Sequence, residues 1–111
     1  MIHIIRAHAN QEQIAEMLQI LETYIKLAVD IRRGVLAGGV EMHADCEEIL
    51  LDDGSVQADI WGADWYPLSQ EVKYESLINI RPRQNNRSME IQDQSICNRV
   101  AQITSNLLGE L

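Results

Sequence analysis

The spacing of the hydrophobic residues changes near residue 22, and this change limits the fold more than any other feature. Ile14, Met17, Leu18 and Leu21 recur at the spacing of one helix face, after a candidate N-cap at Asn10. From residue 25 to 31 apolar residues alternate with polar or small ones, which is typical of a half-buried strand. The pattern predicts a helix over about residues 10–22 and then a strand, although the helix can also run on to Ile31.

The strand is the preferred interpretation because a turn signal follows it. Arg32, Arg33 and Gly34 predict a tight turn into a second short strand at residues 35–37, which makes a hairpin. The apolar start at residues 2–5 predicts a further short strand at a sheet edge.

Gly38 and Gly39 end the hairpin, and a second helical spacing follows them. Met42, Cys46, Ile49 and Leu50 lie at i, i+4, i+7 and i+8, which predicts a short helix over residues 41–51. The sequence Asp52-Asp53-Gly54 stops it. The alternative is a strand over residues 43–51 closed by the Asp-Gly turn.

The second half of the chain predicts two strands, a polar loop and a last helix. The strands cover residues 56–61, ending at Gly62, and residues 72–80, with residues 65–67 in a loop between them. Residues 81–88 form the loop, and Asp93 or Ser95 caps a helix that reaches Leu108. We therefore predict one α+β domain over residues 1–111. Its four- or five-stranded sheet is mixed or mainly antiparallel, with two longer helices and one short helix packed on it.

The net charge of -8 belongs to a single stretch of this ordinary globular composition. Eight of the 17 acidic residues lie between Glu41 and Asp64, a range without lysine or arginine that we call the acidic block. The remaining nine acids balance the nine basic residues. An acidic surface repels phosphate backbones and anionic lipids, so cations or a basic partner are favoured over nucleic acid or a membrane.

The two cysteines and the start of the chain indicate a cytoplasmic protein. Cys46 and Cys97 are 51 residues apart without a CxxC motif, and the first residues lack the apolar run of a signal peptide. No segment approaches the roughly 20 apolar residues of a membrane span. We expect reduced thiols, with Cys46 buried and inert on its helix.

His43 and Glu47 are the first candidate site, because their i, i+4 spacing puts both on one helix face. They can share a divalent cation, with Asp45 and Glu48 on adjacent faces and further ligands from Glu41, Asp59 or Asp64. An oxygen-rich site with one imidazole suits manganese, magnesium or iron better than structural zinc. The alternative is a solvated charged face on which His43 donates a local hydrogen bond.

Two further groups are candidate binding residues. Trp61 and Trp65 flank Gly62 and Asp64, and each is either core packing or, for Trp65 above all, an interface or pocket wall. Arg81, Arg83 and Arg87 can hold a carboxylate or phosphate. The neighbouring Asn85 and Asn86 would adopt positive φ and offer amides to such a ligand. Alternatively the arginines pair with the acidic block of their own chain or of a second copy.

Three segments, VDIRRGVLAGGVEMHADCEEILLDDGS, QADIWGADWYP and SLINIRPRQNNRSMEIQD, carry a resemblance to a known family. They resemble a bacterial and cyanobacterial family of short proteins described as a domain of unknown function. The resemblance covers about residues 25–93 and implies a small single domain. It implies no activity, cofactor or partner.

Three hypotheses of function follow. The first is a binding or scaffold module that forms a homodimer through the acidic block and the arginine loop, residues 81–88, with Trp65 at the contact. The second is a small metal-dependent hydrolase-like enzyme, in which His43, Asp45 and Arg81 are the catalytic candidates and the arginines hold a small anionic substrate. The third, RNA processing, rests on size and the arginine loop, and the acidic charge argues against it.

Overall fold

Five antiparallel strands form one sheet in the computed structural model, which describes residues 1–110. The sheet order is β1-β3-β2-β4-β5. The strands are β1 His3–Ile5, β2 Ile25–Asp30, β3 Val35–Gly38, β4 Ile60–Tyr66 and β5 Glu71–Lys73. The helices are α1 Gln11–Met17, α2 His43–Asp52 and α3 Gln94–Leu108. The α+β prediction is confirmed, and every strand pair is antiparallel.

Alternation along the strands gives the sheet two buried faces. Leu27 and Val29 of β2 point to one face and pack with the apolar residues of α3, such as Val100 and Ile103. Ala28 points to the other face and packs with Cys46 and Leu50 of α2. The sheet therefore lies between α2 on one side and α1 with α3 on the other.

The hairpin of β2 and β3 and the helices α2 and α3 lie where the sequence predicts them. Gly34 has φ of +70° in the turn between the strands, a conformation that favours glycine. Asp93 accepts a hydrogen bond from the backbone N–H of Ser95 and is the N-cap of α3. Asn10 caps α1 as predicted, but α1 ends at Met17 rather than near residue 22. Turns follow, and Glu22 at φ of +65° redirects the chain into β2.

The predicted strands on either side of residue 62 are wrong in extent. Residues Gln57–Asp59 form a 3-10 turn, and β4 then runs through Gly62 to Tyr66, so Trp65 and Tyr66 are not in a loop. Glycine is required at position 62, because a Cβ there would lie 2.5 Å from the Cβ of Ser76.

Only the start of the predicted strand over residues 72–80 pairs with the sheet. β5 covers Glu71–Lys73, and residues Leu77–Asn79 form another 3-10 turn against β4. No helix among residues 1–110 combines the length and the apolar character needed to cross a membrane.

Candidate functional site

His43 lies in the first turn of α2, above the end of β4. Its Nε2 is 2.8 Å from Asp64 Oδ1 and 3.1 Å from the carbonyl oxygen of Ala63. Both neighbours are acceptors, so Nε2 carries a proton and donates it to them. The two side chains are 12% and 14% exposed, so the pair holds the imidazole in one orientation.

A cavity of about 340 Å³ opens beside this pair, and we call it the His43 cavity. Its floor includes Lys26, the cross-strand neighbour of Asp64 in the sheet. Its walls come from the start of α2 and from two later parts of the chain, namely residues 75–78 and Met89. It therefore combines charged groups on the sheet with largely apolar walls.

Arg81 and Glu47 form a second polar contact, beside α2. Arg81 Nη2 donates to Glu47 Oε2 at 3.1 Å, and the guanidinium lies 4.8 Å from the ring centre of Trp61. Burial raises the pKa of Glu47 against the opposing influence of Arg81, and burial likewise lowers the pKa of Arg81. Burying both charges carries a desolvation cost, which the pairing and the hydrogen bonds to carbonyl groups offset.

Arg81 also fixes the start of the arginine loop. It donates to the carbonyl oxygens of Ile78 at 2.9 Å and Gln57 at 2.7 Å. The predicted pairing of an arginine with the acidic block is therefore found within the chain, between Arg81 and Glu47. Arg83 and Arg87 are exposed and form no ion pair within residues 1–110.

The two asparagines of the loop behave differently from each other. Asn85 has φ of +61°, the left-handed conformation that the sequence predicts. Asn86 is buried, and its amide donates to the carbonyl groups of Asn79, Ser88 and Glu90. Its amide therefore holds the loop together and is not free for an external anion.

The expected metal ligands do not converge. His43 contacts Asp64, Glu47 contacts Arg81, and Asp59 pairs with Arg32 at 2.9 Å near the hairpin turn. Asp45 and Glu48 are exposed on the outer side of α2. Within residues 1–110, no group of three His, Cys, Asp or Glu side chains is close enough to hold a metal ion.

Half of the acids of the acidic block have partners inside the molecule. Glu47 pairs with Arg81, Asp59 with Arg32 and Asp64 with His43. Asp53 pairs with both Arg6 and Arg33. The other four acids are exposed and have no ion pair in the described part of the chain: Glu41, Asp45, Glu48 and Asp52. The last three recur at helical spacing, so α2 carries an acidic stripe on its outer face.

Both tryptophans belong to the core. Trp61 and Trp65 point to the face that α1 and α3 cover, and Trp65 is only 2% exposed. Trp65 lines a wide depression of about 720 Å³ with Pro67 and Leu108, on the side of the sheet opposite α2. The side chain of Trp65 therefore contributes little area to any contact surface. The sequence analysis expected this tryptophan in a loop.

Cys46 is fully buried beneath α2. Burial raises the pKa of its thiol to about 12, so the thiolate form is negligible at neutral pH. This geometry agrees with the expectation of an inert cysteine.

Exposed apolar residues cluster beside α2, and the sequence reasoning missed them. A second cavity of about 510 Å³ holds Glu47, Arg81 and Arg83 and shares Leu77 and Ile78 with the His43 cavity. We call the two joined cavities the α2 groove. Four of the nine exposed large hydrophobic residues of the described chain line it: Met42, Leu77, Ile80 and Met89.

Leu77 is the most prominent of them, with 69% exposure. The signal in the sequence is that Leu77, Ile78 and Ile80 lie close together in the chain, with only Asn79 between them. Lys26 was missed as well, although the alternation of β2 places it on the face opposite Leu27.

Comparison with known proteins identifies one family. The model of one family, described as a protein of unknown function (DUF5674), matches residues 3–107. No curated protein and no solved structure matches the chain. The match confirms the expected domain of unknown function, while a bacterial and cyanobacterial origin stays a prediction.

Proposed function

The chain belongs to the DUF5674 family of proteins of unknown function, and we propose from the α2 groove that it is a binding module that forms a homodimer. The observation that carries the proposal is the exposed apolar strip of the groove. Water-exposed apolar side chains that cluster in one place are typical of an interaction surface. Leu77, at the centre of the groove, would be covered by the second copy.

The charges beside the groove favour a second copy of this chain as the occupant. Each copy carries the acidic stripe Asp45, Glu48 and Asp52 on α2 and the exposed Arg83 and Arg87. A twofold axis places the stripe of one copy against the arginines of the other, and the same contact then occurs twice. The anion that the arginine loop binds in this proposal is therefore a carboxylate of the partner.

The other hypotheses have less support. A metal-dependent hydrolase needs ligands that meet, and His43 and Glu47 contact different partners. RNA binding conflicts with the charge of -8. We place the proposed dimer in the cytoplasm, because Cys46 and Cys97 are both free thiols.

Replacing the central apolar residue tests the proposal. Leu77→Glu removes about 2 to 3 kcal/mol of stabilisation from apolar burial and adds a charge. We therefore expect the dissociation constant of the dimer to rise by at least about 30-fold. Light scattering during gel filtration at tens of micromolar protein should show a wild-type dimer and a monomeric variant.

Leu68→Glu is the matched control, because Leu68 is 99% exposed and lies outside the groove. We expect this variant to remain a dimer. A monomeric wild type, or equal dimerisation of all three proteins, would overturn the proposed function.

A further inference from the structure

Two methionines belong to the exposed apolar strip of the α2 groove. Met42 is the N-cap residue of α2 and is 52% exposed, and Met89 is 38% exposed. Both line the His43 cavity, although they are far apart in the chain. Methionine is among the residues that proteins most often bury, so two exposed ones in one cavity are unusual.

Ordered backbone presents both methionines at the groove. The carbonyl oxygen of Met89 accepts hydrogen bonds from the backbone N–H of Ser76 at 3.0 Å and from Nδ2 of Asn79 at 3.1 Å. Met42 begins a helix whose Cys46 is buried against the sheet. A chemical change at either sulfur therefore occurs at a defined place in the groove.

Oxidation changes the polarity of a methionine side chain. The sulfur attacks one oxygen of hydrogen peroxide, the O–O bond breaks, and the proton of the transferred hydroxyl passes to the departing hydroxide. A methionine sulfoxide and water form, so the thioether loses the two electrons that the peroxide gains. The sulfoxide oxygen is a hydrogen-bond acceptor, and burying it without a donor is unfavourable.

We propose that Met42 and Met89 are oxidation sites through which peroxide dissociates the dimer. This regulation rests on the proposed function, in which a second copy covers both side chains. Each dimer would then bury sulfoxides from both copies, so we expect oxidation of both residues to raise its dissociation constant by at least about 100-fold. Peroxide reacts with the free copy, whose sulfurs are uncovered, and removes it from the equilibrium.

The other sulfur atoms of the chain provide internal controls. Met17 is buried, and burial raises the pKa of both thiols, that of Cys46 to about 12, so little reactive thiolate forms. Met1 is exposed and does not line the groove. The oxidation rate of Met1 therefore measures the reactivity of an exposed methionine outside the groove.

Treating the wild-type protein with hydrogen peroxide tests the proposal. Peptide mass spectrometry should find one added oxygen on Met42 and on Met89, and none on Met17. Light scattering during gel filtration should show a dimer before the treatment and a monomer after it. Methionine sulfoxide reductases, which together reduce both sulfoxide epimers, should restore the dimer.

The double variant Met42→Leu with Met89→Leu is the matched protein, because it lacks both groove sulfurs and keeps Met1, Met17 and both cysteines. Its dissociation constant, whatever its value, should be the same before and after peroxide. Leu77→Glu, as a monomer, leaves its groove uncovered. Its Met42 and Met89 should therefore oxidise faster than those of wild type at equal protein concentration, while Met1 oxidises at the same rate in both.

Four results would overturn this regulation and leave the dimer standing. The first two are a wild type that stays a dimer with both residues oxidised, and a double variant that peroxide dissociates as it does wild type. The others are a monomer that the reductases do not return to a dimer, and equal oxidation rates of Met42 and Met89 in wild type and Leu77→Glu. A wild type that is monomeric before the treatment would overturn the proposed function, and this regulation with it.

Discussion

At the scale of single residues, Asp53 joins three separate parts of the chain. It follows α2 and accepts hydrogen bonds from Arg6, which follows β1, and from Arg33 in the hairpin turn, at 2.6 and 2.8 Å. These two guanidinium groups lower the pKa of Asp53 to about 2. The acidic block therefore has a structural role at this point as well as a surface role.

This pKa sets a pH dependence. Because the folded pKa lies below the ordinary value, the stabilisation is complete above pH 4 and is lost as pH falls toward 2. We expect Asp53→Asn to have a lower melting temperature than wild type at neutral pH, and the difference should shrink as pH falls from 4 toward 2. Thermal unfolding followed by circular dichroism over this range measures it.

Glu71→Gln is the control for this comparison, because Glu71 is exposed and has no ion pair in the described chain. Its melting temperature should follow that of wild type. A difference between Asp53→Asn and wild type that does not change with pH would contradict the assigned role of Asp53.

Residue types and charge alone predicted part of the site. The absence of bases inside the acidic block predicted that arginines from elsewhere would pair with it, and Arg81 does so with Glu47. The spacing of His43 and Glu47 did not reveal their partners, because Asp64 and Arg81 approach only through the tertiary fold. Lys26 and Leu77 were not predicted for the same reason.

At the scale of secondary structure, the side chain of Asn79 continues the sheet where β5 has ended. Its Oδ1 accepts from the backbone N–H of Gly62 at 2.8 Å, and its Nδ2 donates to the carbonyl of Gly62 at 3.0 Å. One buried amide thus replaces a strand partner for β4. This contact fixes residues 77–79, and with them one wall of the α2 groove.

Removing this amide should destabilise the fold. Asn79→Ala leaves a buried N–H and a buried C=O without partners, at about 1 to 3 kcal/mol for each group. We expect the free energy of unfolding to fall by about 2 to 4 kcal/mol, as measured by urea denaturation. Asn106→Ala, on the exposed side of α3, should change it by less than about 0.5 kcal/mol. Equal effects of the two substitutions would contradict the strand-like role of Asn79.

The elements themselves differ in how far periodicity predicts them. The hairpin, α2 and α3 follow from local spacing and caps, and the structure confirms them. The sequence predicts a strand that ends at Gly62, because glycine ends strands in most contexts. In the structure β4 continues through Gly62, where the close approach of Ser76 requires a glycine. The alternation of residues 77–80 predicts a strand. In the structure it is the side chain of Asn79, and not the backbone, that forms the hydrogen bonds to β4.

At the scale of the whole molecule, the sheet separates two different surfaces. The side covered by α1 and α3 contains both tryptophans, whereas the side covered by α2 contains the groove with Arg83 and the acidic stripe. The class α+β was predictable from the order of helical and alternating segments. The position of the groove was not, because its walls come from residues far apart in the chain.

The proposed dimer makes a specific statement about charge at this scale. Each copy contributes both signs, so reversing one sign creates repulsion twice in a homodimer. Combining the two kinds of reversed chain restores opposite charges at both contacts. A mixed dimer should therefore form from two variants that do not dimerise alone.

Mixing two charge-reversed variants tests the central claim most directly. One variant carries Arg83→Glu and Arg87→Glu, and the other carries Glu48→Lys and Asp52→Lys, all at exposed positions. Native mass spectrometry and light scattering should show monomers for each variant alone and a one-to-one heterodimer for the mixture. Homodimers of both separate variants, or monomers in the mixture, would contradict a dimer formed by the acidic stripe and the arginine loop.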